Sequence, residues 1–156
     1  MIKEKTIKEK ITESSIAAMG ISAILALSTA IGIMANILEA VFCQESLRTA
    51  NCIGNTAESV LLCVISIISM LLFAKVSKDG TPFSPKIVMF LRAAGFVMML
   101  YSFIPPAARG IALSVLGEKS EFSGNTPAIF FGAILMILAQ IFSYGTMLQQ
   151  ESDETV

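Results

Sequence analysis

The sequence predicts an all-α integral membrane protein with four transmembrane helices, packed as two antiparallel hairpins. Three observations predict it. Of 156 residues, 54% are hydrophobic and only 15% charged, where ordinary soluble domains carry about a quarter charged residues. The apolar residues gather into four long runs with few charges inside them, which is the signature of membrane spans. A polar, basic, turn-rich stretch, Lys75 to Arg92, lies near the chain midpoint and reads as the connection between the hairpins. The whole chain, residues 1–156, reads as one four-helix membrane domain with spans near 16–42, 57–76, 87–106 and 127–148.

The first 15 residues hold Lys3, Lys5, Lys8 and Lys10 against Glu4, Glu9 and Glu13. Glu4 and Lys8 are spaced to support a helix, read as a solvated lead-in or a membrane-surface anchor. The apolar run behind them is too long for a signal-peptide core and lacks a convincing cleavage site, so no cleavable signal is expected. Ile16 to Leu38 carries no charge and would be about 35 Å long as a helix, enough to cross a bilayer with tilt. Ala18, Ser22, Ala26 and Ala30 form a small-residue stripe that admits a close neighbour.

Cys43 to Ser59 is expected as a loop, with a turn at Asn51 to Asn55. Val60 to Ala74 is short for a span, so Lys75 must extend its stem toward the interface and residues near Ala57 must complete the helix. In the central connection Asp79-Gly80 is a turn signal. Ser84-Pro85 reads as an N-cap followed by proline in the first helical turn, and Phe83 and Val88 are spaced for a hydrophobic staple. The third helix should begin at Pro85. Pro105-Pro106 predicts its end, with a kinked continuation as the alternative. Arg109 to Gly117 reads as a short interfacial segment and Gly117 to Asn125 as a polar loop. Thr126-Pro127 repeats the cap-plus-proline signature, opening a fourth helix from Pro127 to about Gln150, and the end from Glu151 is a short acidic tail.

Lysine and arginine set the expected orientation. Four lie in residues 1–15 and four in 75–92, while the other connections hold Arg48, Arg109 and Lys119. This bias puts both termini in the cytoplasm of a plasma-membrane protein.

The chain has no histidine and three cysteines in no zinc spacing, which argues against most metal sites and against histidine-based triads. No paired intramembrane carboxylates, phosphate-binding glycine loop or basic-aromatic cluster for nucleic acid is present. A non-enzymatic protein with no cofactor and no direct nucleic-acid contact is therefore expected. Its polar candidates inside the membrane are Asn36, Glu39 and Gln140. Glu39 reads as an interfacial acid or a partner of Arg109, and Gln140 as a hydrogen-bonding group between helices. Cys43 and Cys52, with eight residues between them, would share the oxidising side and either pair or stay free.

Charge separates two cytoplasmic pieces. The central connection (Lys75, Lys78, Lys86 and Arg92 against Asp79) sums to +3, and Glu151, Asp153 and Glu154 in the tail sum to −3. The basic residues satisfy the positive-inside rule or touch anionic lipid. The tail can fray in solvent, lie on its own connection, or engage a basic surface of another protein. Phe83, Lys86, Arg92, Glu151, Asp153 and Glu154 are the candidate partner contacts.

Two segments carry a resemblance. Gly80-Thr81-Pro82-Phe83-Ser84-Pro85, with Leu91-Arg92 and Gly95, resembles the G-x-P-F-[ST]-x…L-R…G signature of a bacterial four-span membrane family catalogued as domain of unknown function 2975. Phe142, Gly145, Leu148-Gln149, Glu151, Asp153 and Val156 resemble its terminal F-x-x-G-x-x-L-Q-x-E-x-D-x-x-V. Ser143 departs from the pattern, standing where a basic residue is common. The resemblance implies a membrane partner of a small helix-turn-helix transcription regulator, often encoded beside such proteins. A sensor or tether for that regulator is thus the leading expectation. A small transporter or channel subunit is the alternative, and a homo-oligomer is left open.

Overall fold

A computed structural model describes residues 2–43, 45–79, 83–119 and 123–154, with side chains from residue 8 onward except that of Asp153. Four long helices account for nearly all of them: α1 (Ile2–Phe42), α2 (Ser46–Asp79), α3 (Pro85–Val115) and α4 (Thr126–Glu154). There is no strand among the described residues. Each helix contains an apolar stretch long and uncharged enough to cross a membrane. The protein is an all-α, four-helix, multi-pass membrane protein.

The helices form an open row. α1 packs on α2, α2 on α3 and α3 on α4, and among the described residues no other pair of helix backbones comes close. The expected hairpins are thus present, joined by an equally genuine α2–α3 contact. The connections α1–α2 and α3–α4 lie at one end of the row. Both termini and the α2–α3 connection lie at the other, called the tail end below.

Close backbone approach, rather than a large apolar core, holds the row together. Among the described residues, the cluster of buried apolar side chains is Val88, Leu91 and Ala139, flanked by Leu72, Leu135 and Phe142. Higher up, α3 and α4 touch backbone to backbone. A methyl on Gly132 would lie 2.8 Å from the Gly95 carbonyl oxygen, and one on Gly95 would lie 3.0 Å from that of Gly132. In lipid the hydrophobic effect does not drive one apolar helix onto another, so such packing of small residues carries the association. In α1 the stripe follows the same logic. Ser15 and Ser22 are buried and Ala18 and Ala26 half-buried against α2, while Ala30 is exposed. A spacing of four residues drifts about 40° per step around a helix of 3.6 residues per turn, and Ala30 has rotated off the contact.

Three boundaries differ from expectation. The segment read as a loop between Cys43 and Ser59 is mostly helix, because α2 begins at Ser46. Thr49 and Thr56 donate to the carbonyls of Glu45 and Cys52 one turn back. Gly54 admits α3, since a methyl there would lie 3.1 Å from Arg109 Cβ. Turn-type residues here serve a helix contact.

Pro105 and Pro106 do not end α3, which runs on to Val115 and absorbs the expected interfacial segment. The two prolines remove the donors for the carbonyls of Tyr101 and Ser102. The Ser102 carbonyl instead accepts the Asn125 N–H at 3.2 Å, and the buried Ser102 hydroxyl donates to the Asn125 carbonyl at 2.8 Å. Neighbouring segments that take up freed backbone groups are what let proline persist in membrane helices. α3 stops instead at Gly117, whose positive φ of 78° allows Glu118 N–H to reach the Leu113 carbonyl at 2.9 Å and Gly117 N–H that of Ser114 at 3.3 Å. That pair of bonds is a Schellman cap.

At the helix starts, Ser84 is the N-cap of α3, in extended conformation and without a side-chain cap bond. The cap of α4 is Asn125 rather than Thr126: its Oδ1 accepts the Ala128 N–H at 3.3 Å. The Asp79-Gly80 turn reaches beyond the described residues at Gly80.

Candidate functional site

At the end opposite the tail, α2, α3 and the α3–α4 connection line an open, partly polar cleft of about 200 Å³. Gly54, Asn55 and Glu58 line it from α2, spaced so that one helix face presents them together. Tyr101, Pro105, Pro106 and Arg109 line it from α3, and Ser123 and Asn125 close it. Tyr101 Oη donates to Glu58 Oε1, fixing the carboxylate across the α2–α3 contact. Arg109 is exposed and, among the described residues, neither Glu58 nor Arg109 is in an ion pair. Asn51, one turn before Asn55, has a buried amide oxygen with no hydrogen-bond partner. The cleft thus offers one carboxylate, one guanidinium, amides and hydroxyls in a small volume. Among the described residues no group of three His, Cys, Asp or Glu side chains gathers as a metal site.

The tail end brings together part of the expected partner surface. Phe83, from the α2–α3 connection, packs edge-on to Phe142 of α4 with ring centroids 5.7 Å apart. Gly145 makes the notch that receives it, since a methyl there would lie 2.7 Å from the ring. This places Phe83 on α4, a contact that staple spacing within α3 did not foresee. Lys86, Arg92, Glu151 and Glu154 are exposed, and the Asp153 side chain lies outside the described residues. Lys75 pairs with Asp79 at 2.7 Å one turn along α2.

The remaining candidates fall elsewhere. Glu39 pairs with Arg48 at 2.6 Å across the α1–α2 connection; Arg109, the partner weighed from sequence, lies on α3 in the cleft. Gln140 is exposed on α4 and makes no hydrogen bond to another helix among the described residues, contrary to the packing role expected of it: the face of α4 that meets α3 is the one carrying Gly132, Ala139 and Phe142. Asn36 is half-buried in α1. Cys43 and Cys52 are free thiols. Cys43 lies in the α1–α2 connection, whereas Cys52 is buried within α2, so the helical start of α2 replaces the flexible loop that pairing would have closed.

The sequence pattern did not single out Glu58, Tyr101 or Asn125, and it offered Arg109 only as a partner for Glu39. Glu58 reads as a loop charge when Cys43–Ser59 is taken for a loop, and Arg109 opens what reads as a short interfacial segment after the prolines. The available signal was the Gly54-Asn55…Glu58 face opposite a proline pair inside an apolar run.

No protein-family model, curated protein or solved structure matches this chain.

Proposed function

We propose that this is a non-enzymatic membrane sensor or tether that regulates a cytoplasmic helix-turn-helix transcription regulator, with both termini in the cytoplasm and the plasma membrane as its site. The observation that carries the reading is at the tail end. α4 does not stop where its apolar residues stop, near Leu148, but continues as helix to Glu154 with Glu151 and Glu154 exposed. The Phe83 contact with Phe142 and Gly145 couples this acidic extension to the basic α2–α3 connection. A shift of α3 against α4 would therefore re-aim the acidic tail, whose complement is the basic surface of a DNA-binding protein. The regulator itself comes from the resemblance in the motifs around Phe83 and Gly145.

Deleting residues 149–156 should leave insertion and abundance intact and abolish co-purification of a cytoplasmic helix-turn-helix regulator. Capture by the full chain should weaken with salt. Full-strength capture by the truncated protein would remove the tail as the contact. Orientation has its own test: Ser46→Cys and Lys78→Cys, each in a cysteine-free background, should label oppositely with an impermeant thiol reagent on intact cells, with Ser46→Cys the reactive one.

A small transporter subunit is the second reading, favoured by one observation: Glu58 is a half-buried carboxylate in a polar cleft between two membrane helices. Loss of a transport phenotype in Glu58→Gln, with partner capture unchanged, would support it over the first.

A further inference from the structure

We infer that the cleft between α2 and α3 is a binding site for a small zwitterion, its ammonium group held by Glu58 and its oxyanion by Arg109. Binding here would supply an input to the proposed sensor, but it does not depend on that reading and is measured without any partner.

The charge pattern selects the ligand class. Glu58 and Arg109 line one cleft and, among the described residues, do not pair with each other or with another charge. A simple cation would leave the guanidinium unanswered, and a simple anion would leave the carboxylate unanswered. A molecule bearing both charges answers both. Tyr101 occupies Oε1 of Glu58 and leaves Oε2 available to a donor.

The neutral groups point the same way. On the α2 side Asn55 lines the cleft beside Glu58 and carries an amide oxygen able to accept. On α3, Pro105 removes the helical donor for the Tyr101 carbonyl, and unlike Ser102 this carbonyl is not taken by Asn125. An ammonium group brings three donors to such a place. The volume limits size. About 200 Å³ is below the range of about 300–1,000 Å³ usual for drug-sized ligands, and suits a metabolite of a few heavy atoms. Two sources share this chemistry: a free amino acid, and the phosphoethanolamine headgroup of a membrane lipid. An apolar groove lined by Val41 of α1, Ile53 and Ala57 of α2 and Ala108 of α3 lies at the same end and would take an acyl chain in the second case.

The test uses the full chain in phosphatidylglycerol nanodiscs, which contain no zwitterionic lipid. Glycine, alanine, serine and phosphoethanolamine are titrated separately up to about 10 mM, with ethylammonium and glycerol phosphate as single-charge controls, followed by calorimetry and thermal shift. At least one zwitterion should bind. Arg109→Gln, an exposed position that should not disturb folding, should weaken it at least about tenfold. Glu58→Gln should do the same, while Glu39→Gln should not. Native mass spectrometry after exchange into phosphatidylethanolamine separates the sources: a retained lipid lost in Arg109→Gln assigns the headgroup, and amino-acid binding without lipid retention assigns a free solute. Absence of binding by all four zwitterions together with no retained lipid, equal binding of a single-charge control, or undiminished binding in Arg109→Gln would each overturn the inference.

Discussion

α1 and α3 are about equally apolar, yet 6% of the apolar window of α1 is buried within the protein against 28% for α3. One cause is position in the row: α1 has one neighbour and α3 has two. The other is chemistry. α1 shows lipid Ile24, Leu27, Ile31 and Met34, all more than 60% exposed. α3 buries Ala94, Gly95, Ser102 and Pro105 along with Ile87, Val88, Leu91 and Leu113. Hydropathy alone therefore does not separate a lipid-facing helix from a packed one; the small and polar residues that let α3 approach its neighbours closely do.

Gly132→Leu places a side chain where a single methyl already meets the Gly95 carbonyl, and should destabilise the protein by about 3 kcal/mol, toward the upper end for overpacking. Ile24→Leu on the lipid face of α1 should leave the unfolding midpoint unchanged. Equal effects in a denaturant or steric-trapping titration would mean that burial in the row does not track stability. A smaller effect is expected at Ser102→Ala, which deprives the Asn125 carbonyl of a buried donor and should cost about 1–2 kcal/mol. The matched change in α1, Thr29→Ala, removes only bonds to its own helix at Leu25 and Ala26 and should be near neutral. The smallest effect belongs to Glu39→Gln. Its pair with Arg48 is exposed, so the midpoint should move little and show no added salt dependence; a clear loss would show that the α1–α2 connection holds the row together.

The same distinction explains what could be read in advance. Four spans, the start of α3 at Pro85 and the acidic end of α4 follow from local pattern, because hydropathy and cap residues act over a few positions. The limits of α2 and α3 do not. Asn51, Gly54 and Asn55 look like a turn until α3 is placed against them. Pro105-Pro106 looks like a stop until Asn125 supplies its backbone groups. The cleft was hidden for the same reason, since Glu58 and Arg109 meet only through the register of α2 against α3.

The stitch between Ser102 and Asn125 bears on biogenesis. A span released from the ribosome must satisfy its backbone before it can rest in lipid. α3 is synthesised with a proline-made gap whose partner, the Asn125 N–H, arrives only as α4 begins. α3 is therefore expected to linger in the protein-conducting channel and to leave it together with α4, so that the last two helices enter the bilayer as one unit while α1 precedes them alone.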